Sequence, residues 1–434
     1  MLYTRDGFLG FSLNLCRLFI LLAMMFATVA CSDGDTDTDE DDVPSIEDVD
    51  TGLARVYITT PGAAEVKSKE KWLTGATIAV YDSEGTLNYK GSIEIKGRGN
   101  MSWTFPKKSY AIRLKKKGKV LDMPEGKRWC LMANWLDRTL MRNAVAFRMS
   151  SLMGALDYTP RGEYVELFVN GEHRGNYYLC EQIKIDSHRV PVEEPGKSET
   201  AWPGTSGGYV FELDEYFDEE FRLRSPRADL PWMLKDPDEV GDEAWAYVKG
   251  YVAELEDALY DEVRFARRDF ARMMDMESFA DWWFVHELTM NREPRYPKSC
   301  YMHKHRDTEE GRGLLMAGPV WDFDCETFDA SVESQFTAIT CLYYPRLFED
   351  AEFRNTVKRR WERLKEEGLR ERVCEYIDAL SDRLRASESI NSRMWPVTTP
   401  SNTDILLSWD GAVAQLKETF TRKYLWMDYA IRNL

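Results

Sequence analysis

The chain has 434 residues, 44% of them hydrophobic and 13% aromatic, which is enough apolar material for one large domain or two smaller ones and too much for general disorder. A formal net charge of −17 argues against non-specific nucleic-acid binding, which needs Lys and Arg to neutralise phosphates. None of the eight cysteines forms a CxxC pair, so cysteine-based zinc spacing is absent.

In chain order, the first feature is an apolar run from Leu18 to Ala30, preceded by Arg17. It is shorter than the roughly 20 residues a membrane span requires, and it reads as the core of a signal peptide over residues 1–30. It stops at Thr28-Val29-Ala30-Cys31, which resembles a bacterial lipobox with Thr28 where Leu is usual. The resemblance implies lipid on Cys31 and a membrane partner held through it. Seven of the ten residues from Asp33 to Asp42 are acidic, and self-repulsion keeps such a run solvated, as a tether over 31–52. With Ser32 in front, the run resembles the export signal of Bacteroidetes surface lipoproteins. The expected location is therefore the cell envelope, on an outer-membrane lipoprotein facing outward.

The globular part is expected over 53–434. Arg55–Thr59, Ala76–Tyr81, Ser92–Lys96 and Tyr110–Leu114 read as strands, with a two-glycine turn at Gly97-Arg98-Gly99-Asn100. Asp137 to Met153 has helical spacing, and Gly154 suits its C-cap. Tyr164–Val169 and Asn176–Leu179 read as a hairpin across Asn170-Gly171. After a loop at 191–208 comes a strand at Gly208–Leu213. Residues 238–290 read as helices broken near 267–269. Ser299–Lys304 and Leu314–Val320 read as strands, and 345–390 and 411–432 as helices. Strands first and helices later is an α+β pattern.

Four segments in order resemble the spore-coat protein H (CotH) family of atypical kinases. They are Gly97-Arg98-Gly99-Asn100-Met101-Ser102-Trp103 with Pro106 to Tyr110; Trp129 to Asn134 with Asp137, Arg142 and Asn143; Val165 to Glu172 with Arg174 to Leu179 and Glu181; and Glu287, Asn291 to Glu293, Ser299, Tyr301 and Gly318 to Asp324. The resemblance covers about residues 55–430. It implies a divergent protein-kinase-like fold, with ATP and Mg²⁺ as cofactors.

Phosphoryl transfer needs cations around the phosphates, carboxylates for Mg²⁺ and a carboxylate to orient the attacking hydroxyl. Lys107 and Lys108, beside Arg98, are candidates for the phosphates. Asp322 and Asp324, two apart after an apolar strand, fall on one side and would repel without a cation between them, which suits Mg²⁺. The resemblance assigns the base to Glu293, where many relatives carry Asp. Lys298 is a candidate phosphate- or metal-facing residue, Trp321 lies in the metal motif, and Tyr177 and Glu181 stand where the family holds its nucleotide. Three look-alikes are set aside: His305-Arg306-Asp307, the Asp322-Phe323 pair without a following Gly, and His286-Glu287, which lacks a second zinc-protease His. The leading expectation is an ATP- and Mg²⁺-dependent kinase acting on Ser or Thr of an exported protein. The competing one is a catalytically inactive surface protein that binds a glycan or protein ligand on the same fold.

Overall fold

The computed structural model describes residues 49–196, 199–397 and 402–434. The expected signal run, Cys31 and the acidic stretch 33–42 lie outside the described residues. No helix among the described residues is long and apolar enough to cross a membrane. Val49 and Thr51, expected in the tether, are buried, and Thr51 donates to Glu166 at 3.0 Å.

Seven strands, β1 (Ala54–Thr59), β2 (Leu73–Tyr81), β3 (Leu87–Arg98), β4 (Ser109–Val120), β5 (Met123–Met132), β6 (Gly162–Val169) and β7 (Glu172–Glu181), close into a barrel in the order β1-β2-β3-β4-β5-β7-β6. Period-two alternation turns Val56, Ile58, Ile78, Val80, Ile93, Ile95, Ile112 and Leu114 into its interior. Parallel pairing of β1 with β6 completes the closure, which removes the open strand edges. The β6–β7 hairpin turns at Asn170 and Gly171, both at positive φ, as its sequence led one to expect.

A second sheet contains β8 (Tyr209–Leu213), β9 (Arg222–Arg224), β10 (Pro231–Asp236), β11 (Cys300–Lys304) and β12 (Leu315–Ala317), in the order β12-β11-β8-β10-β9. Around it lie α1 (Arg142–Met153), α2 (Asp242–Tyr260), α3 (Glu262–Ala266), α4 (Met276–Leu288), α5 (Tyr344–Leu347), α6 (Ala351–Glu366), α7 (Leu369–Met394) and α8 (Trp409–Arg432). From Ser278 onward every residue of α4 is buried, with its carboxylates Asp281 and Glu287 paired to Arg360 and Lys423, as suits a helix at the centre of a core. In α6, Phe353, Val357, Trp361 and Leu364 form the single apolar stripe of a surface helix. The class is α+β, as expected.

Several boundaries differ from expectation. β3 runs through Gly97 and Arg98, so the two-glycine turn begins only at Gly99. A Cβ on Gly97 would strike the Trp103 ring at 2.3 Å, so this glycine admits that ring rather than a ligand. α1 starts at Arg142, not Asp137, because the Asp137 carboxylate accepts from the Thr139 and Arg142 backbone N–H groups and holds a turn ahead of the helix. β12 ends at Ala317, before Gly318 and Pro319. Asp322 and Asp324 therefore do not sit on a strand.

The long helix α7 clasps the barrel. Lys107 Nζ donates to the Ala133 and Asn176 carbonyls and, at 2.8 Å, to Asn391 Oδ1 of α7. Glu166 of β6 accepts from Ser387 of α7, and Asn176 Nδ2 donates to the same Ser387 at 2.8 Å.

Candidate functional site

A cavity of about 410 Å³ opens between one end of the barrel and the second sheet. Its barrel wall carries Lys96, Arg98 and Asn134, and its sheet wall carries Glu212, Asp214, Lys235 and Tyr301. Two irregular segments complete it, one bearing Glu293, Lys298 and Ser299, the other Trp321, Asp322, Asp324 and Cys325.

Glu293, Asp322 and Asp324 thus share one recess although no strand or α-helix holds them. Asparagines do so instead. Asn143 Oδ1 of α1 accepts from Phe323 N at 2.9 Å, fixing the residue between the two aspartates. Phe323 itself is fully buried, an anchor for the segment. Asn291 Oδ1 accepts from Glu293 N at 2.9 Å, and its Nδ2 donates to Asp322 O at 3.3 Å, so one side chain joins the two acidic segments. Asn134, Ser299 and Asp322 all have positive φ, at 48°, 52° and 66°. Left-handed backbone at non-glycine residues costs energy and gathers at functional sites.

The electrostatics are those of a carboxylate cluster short of positive charge. Enclosure by protein raises the Asp322 pKa, against a hydrogen bond with Asp324 and the pull of Arg98 and Lys298. Asp324 is raised further, by desolvation and then by the charge of Asp322. Desolvation and Asp322 likewise push Glu293 well above the ordinary carboxylate range, and its Oε2 is buried without a hydrogen-bond partner. Asp214 rises to about 6, from burial and then from Glu212. Clustered oxygen donors that would give up protons to a cation, one with an orphaned oxygen, fit a hard divalent ion such as Mg²⁺.

Positive charge comes from Arg98 and Lys298, with Lys96 and Lys235 at the rim. The Arg98 guanidinium stacks on Trp321, 4.6 Å from the ring centre, and donates to Cys130 Sγ. Lys235 is already paired with Glu212 at 3.1 Å.

Four expected site residues lie elsewhere. Lys107, in the bend before β4, is 1% exposed, with Nζ held by three oxygens and 4.6 Å from the Tyr177 ring centre. Lys108 donates to Trp103 O and faces a separate groove with Tyr177 and Trp395. Tyr177 is buried in the barrel, its hydroxyl donating to Lys108 O at 2.8 Å, so it offers no face for a base to stack on in the cavity. Glu181 is fully buried between Arg161 and Tyr158, outside the cavity lining. The rest, Arg98, Glu293, Lys298, Trp321, Asp322 and Asp324, do converge.

A family model described as CotH kinase protein matches residues 95–427. The chain belongs to the CotH kinase family. Among curated proteins none matches it. The CotH match begins on β3 beside Arg98 and ends in α8, so it contains all six of the expected residues that converge on the cavity. Two motif residues of the CotH resemblance turn out to be framework. The buried Glu287 carboxylate accepts from the backbone N–H groups of Thr337, Ala338 and Ile339 and pairs with Lys423 at 3.1 Å. Asp137 caps the turn before α1. Among the look-alikes, His286 is buried against Trp282 with its pKa down to about 3 from burial, a neutral core ring.

Asp214, Glu212, Lys96 and Lys235 were not anticipated. Glu212 and Asp214 stand two apart at the end of β8, a same-side spacing like that of Asp322 and Asp324. The acidic crowd from Glu212 to Glu220 masks that signal. Lys235 lies on β10, a strand the sequence reading passed over.

Proposed function

We propose that this cavity binds ATP with Mg²⁺ and transfers its terminal phosphoryl group to a Ser or Thr hydroxyl of an exported protein, on a divergent kinase-like fold. The observation carrying the proposal is the meeting of Glu293, Asp322 and Asp324 with Arg98 and Lys298 in one recess. Its volume falls within the roughly 300–1,000 Å³ usual for small-molecule pockets. Asp322 and Asp324 would hold the metal, which when bound neutralises charge on the phosphate oxygens. Arg98, oriented by its stack on Trp321, and Lys298 would take phosphate oxygens. Glu293 would accept the hydroxyl proton. Its raised pKa makes it a poor base until positive charge beside Asp322 offsets the repulsion.

That same raised pKa, on a Glu where many relatives carry Asp, favours a second reading, a non-catalytic binding protein on this framework. The reading also places the chain in the outer membrane, facing outward and held by lipid on Cys31; Cys31→Ser should release it from the membrane fraction.

The deciding experiment uses the full-length chain in detergent, with calorimetric titration of ATP and Mg²⁺ followed by radiolabel transfer from γ-labelled ATP to itself or to an envelope-protein fraction. Transfer requires Mg²⁺ and falls by about 100-fold or more in Glu293→Gln, which still binds nucleotide. Asp322→Asn and Asp324→Asn lose the Mg²⁺-dependent part of binding. No nucleotide binding ends the kinase reading; binding by the wild type without transfer leaves the second one.

A further inference from the structure

A second polar cluster lies away from that cavity. His303 Nε2 and His305 Nε2 approach the same oxygen, Asp157 Oδ2, at 3.0 and 2.6 Å. The three ligand atoms lie within 4.8 Å of one another. None of the three residues lines the carboxylate cavity. Period two along β11 and its continuation puts His303 and His305 on one side. Asp157 arrives from the loop that follows α1 and Gly154.

Proton bookkeeping shows what this arrangement lacks. His303 Nδ1 lies 3.0 Å from Gly318 O, a carbonyl that only accepts, so Nδ1 carries the hydrogen. A neutral His303 then presents the bare lone pair of Nε2 to the Asp157 carboxylate, which also only accepts. Two lone pairs facing each other at 3.0 Å repel. A cation between the three ligands would meet these lone pairs. The His303 side chain is 1% exposed. A metal satisfies both Nε2 atoms and the carboxylate at once. The ring N–H donated to a backbone carbonyl is also the outer contact that metal-bound histidines habitually make.

We propose that Asp157, His303 and His305 bind one divalent first-row transition metal of the zinc class. Two imidazole nitrogens and a carboxylate oxygen suit Zn²⁺, Co²⁺, Ni²⁺ or Cu²⁺ rather than Mg²⁺ or Ca²⁺. Bonds of about 2.0–2.1 Å would put each Nε2 roughly 3.3 Å from Asp157 Oδ2, a small swing for the His305 ring, which is 37% exposed. Partial exposure of Asp157 and His305 leaves a further coordination position to solvent. The metal would pin the loop before β6 to β11. The same β11 carries Tyr301 to the cavity, and the Gly318 carbonyl that orients His303 precedes the Trp321–Asp324 segment.

The test takes the full-length chain in detergent, stripped by chelation, and titrates it with Zn²⁺ by calorimetry and with Co²⁺ by visible absorption. One equivalent of Zn²⁺ should bind, and Co²⁺ should give d–d bands without thiolate charge-transfer bands, which excludes the cysteines as ligands. His305→Ala, a half-exposed position that folding tolerates, and Asp157→Asn should each weaken Zn²⁺ binding by about 100-fold or more. Asp322→Asn should leave it unchanged. The proposal is overturned by absence of a Zn²⁺ equivalent, by binding that survives His305→Ala, or by thiolate bands in the Co²⁺ spectrum. Retained melting behaviour of His305→Ala guards against loss of fold as the cause.

Discussion

Lys107 shows how far a residue type alone can mislead. A lysine before a strand, beside a glycine turn, is what a phosphate site would use, yet the fold gives it three oxygen partners, two carbonyls at the barrel and Asn391 of α7. Its pKa falls to about 7 because burial disfavours the charge, partly offset by Glu166. Lys107→Ala should therefore cost about 2–4 kcal/mol of stability, by leaving buried carbonyls unpaired, while nucleotide affinity stays at the wild-type value in the protein that remains folded. Denaturant unfolding paired with ATP titration checks both halves; a loss of affinity with intact stability would restore the phosphate role. Arg98 is the opposite case. Its partners Trp321 and Cys130 are remote in sequence, but it reaches the recess that its motif suggested.

At the scale of elements, strands with clean alternation were legible, β1 and the β6–β7 hairpin best of all. β5 was not, because Pro124, Gly126, Lys127 and Arg128 break the pattern in its first half. Without β5 the barrel cannot be counted, so closure was out of reach. Asp322 and Asp324 were placed on one side by assuming a strand. They do meet, but through a left-handed turn at Asp322 and the grip of Asn143 and Asn291. Such asparagine ties carry no period, so spacing cannot disclose them. On the proposed kinase activity, Asn291→Ala should free both acidic segments at once, lowering kcat by about 100-fold with KM for ATP changed less, since an ångström of misplacement is enough. Steady-state kinetics with varied ATP decides it; an unchanged kcat would mean that the segments hold their places unaided.

For the molecule as a whole, the proposed Mg²⁺ site in the carboxylate cluster would make stability depend on pH and Mg²⁺ together. Glu293, Asp322, Asp324 and Asp214 have folded pKa values above their ordinary ones. Their contribution is full below about pH 4 and is lost as pH rises through the folded values, about 6 for Asp214. Mg²⁺ needs these groups ionised, so the rise in Tm that it produces should be small near about pH 5 and larger near about pH 8. The difference between melts with and without Mg²⁺ isolates this effect from other titrations, and Asp322→Asn should flatten it. A Mg²⁺ effect independent of pH would dissociate the metal from the cluster.

The clasp of α7 on the barrel has an order in time. Lys107 waits for Asn391, and Glu166 waits for Ser387, residues that leave the ribosome long after the strands they secure. A chain halted before Leu369 would hold every barrel strand yet lack its fastening, and should be degraded rapidly where the whole protein resists protease. If the chain is exported as proposed, that delay would be useful to it, since the barrel locks only when the last helices have come through.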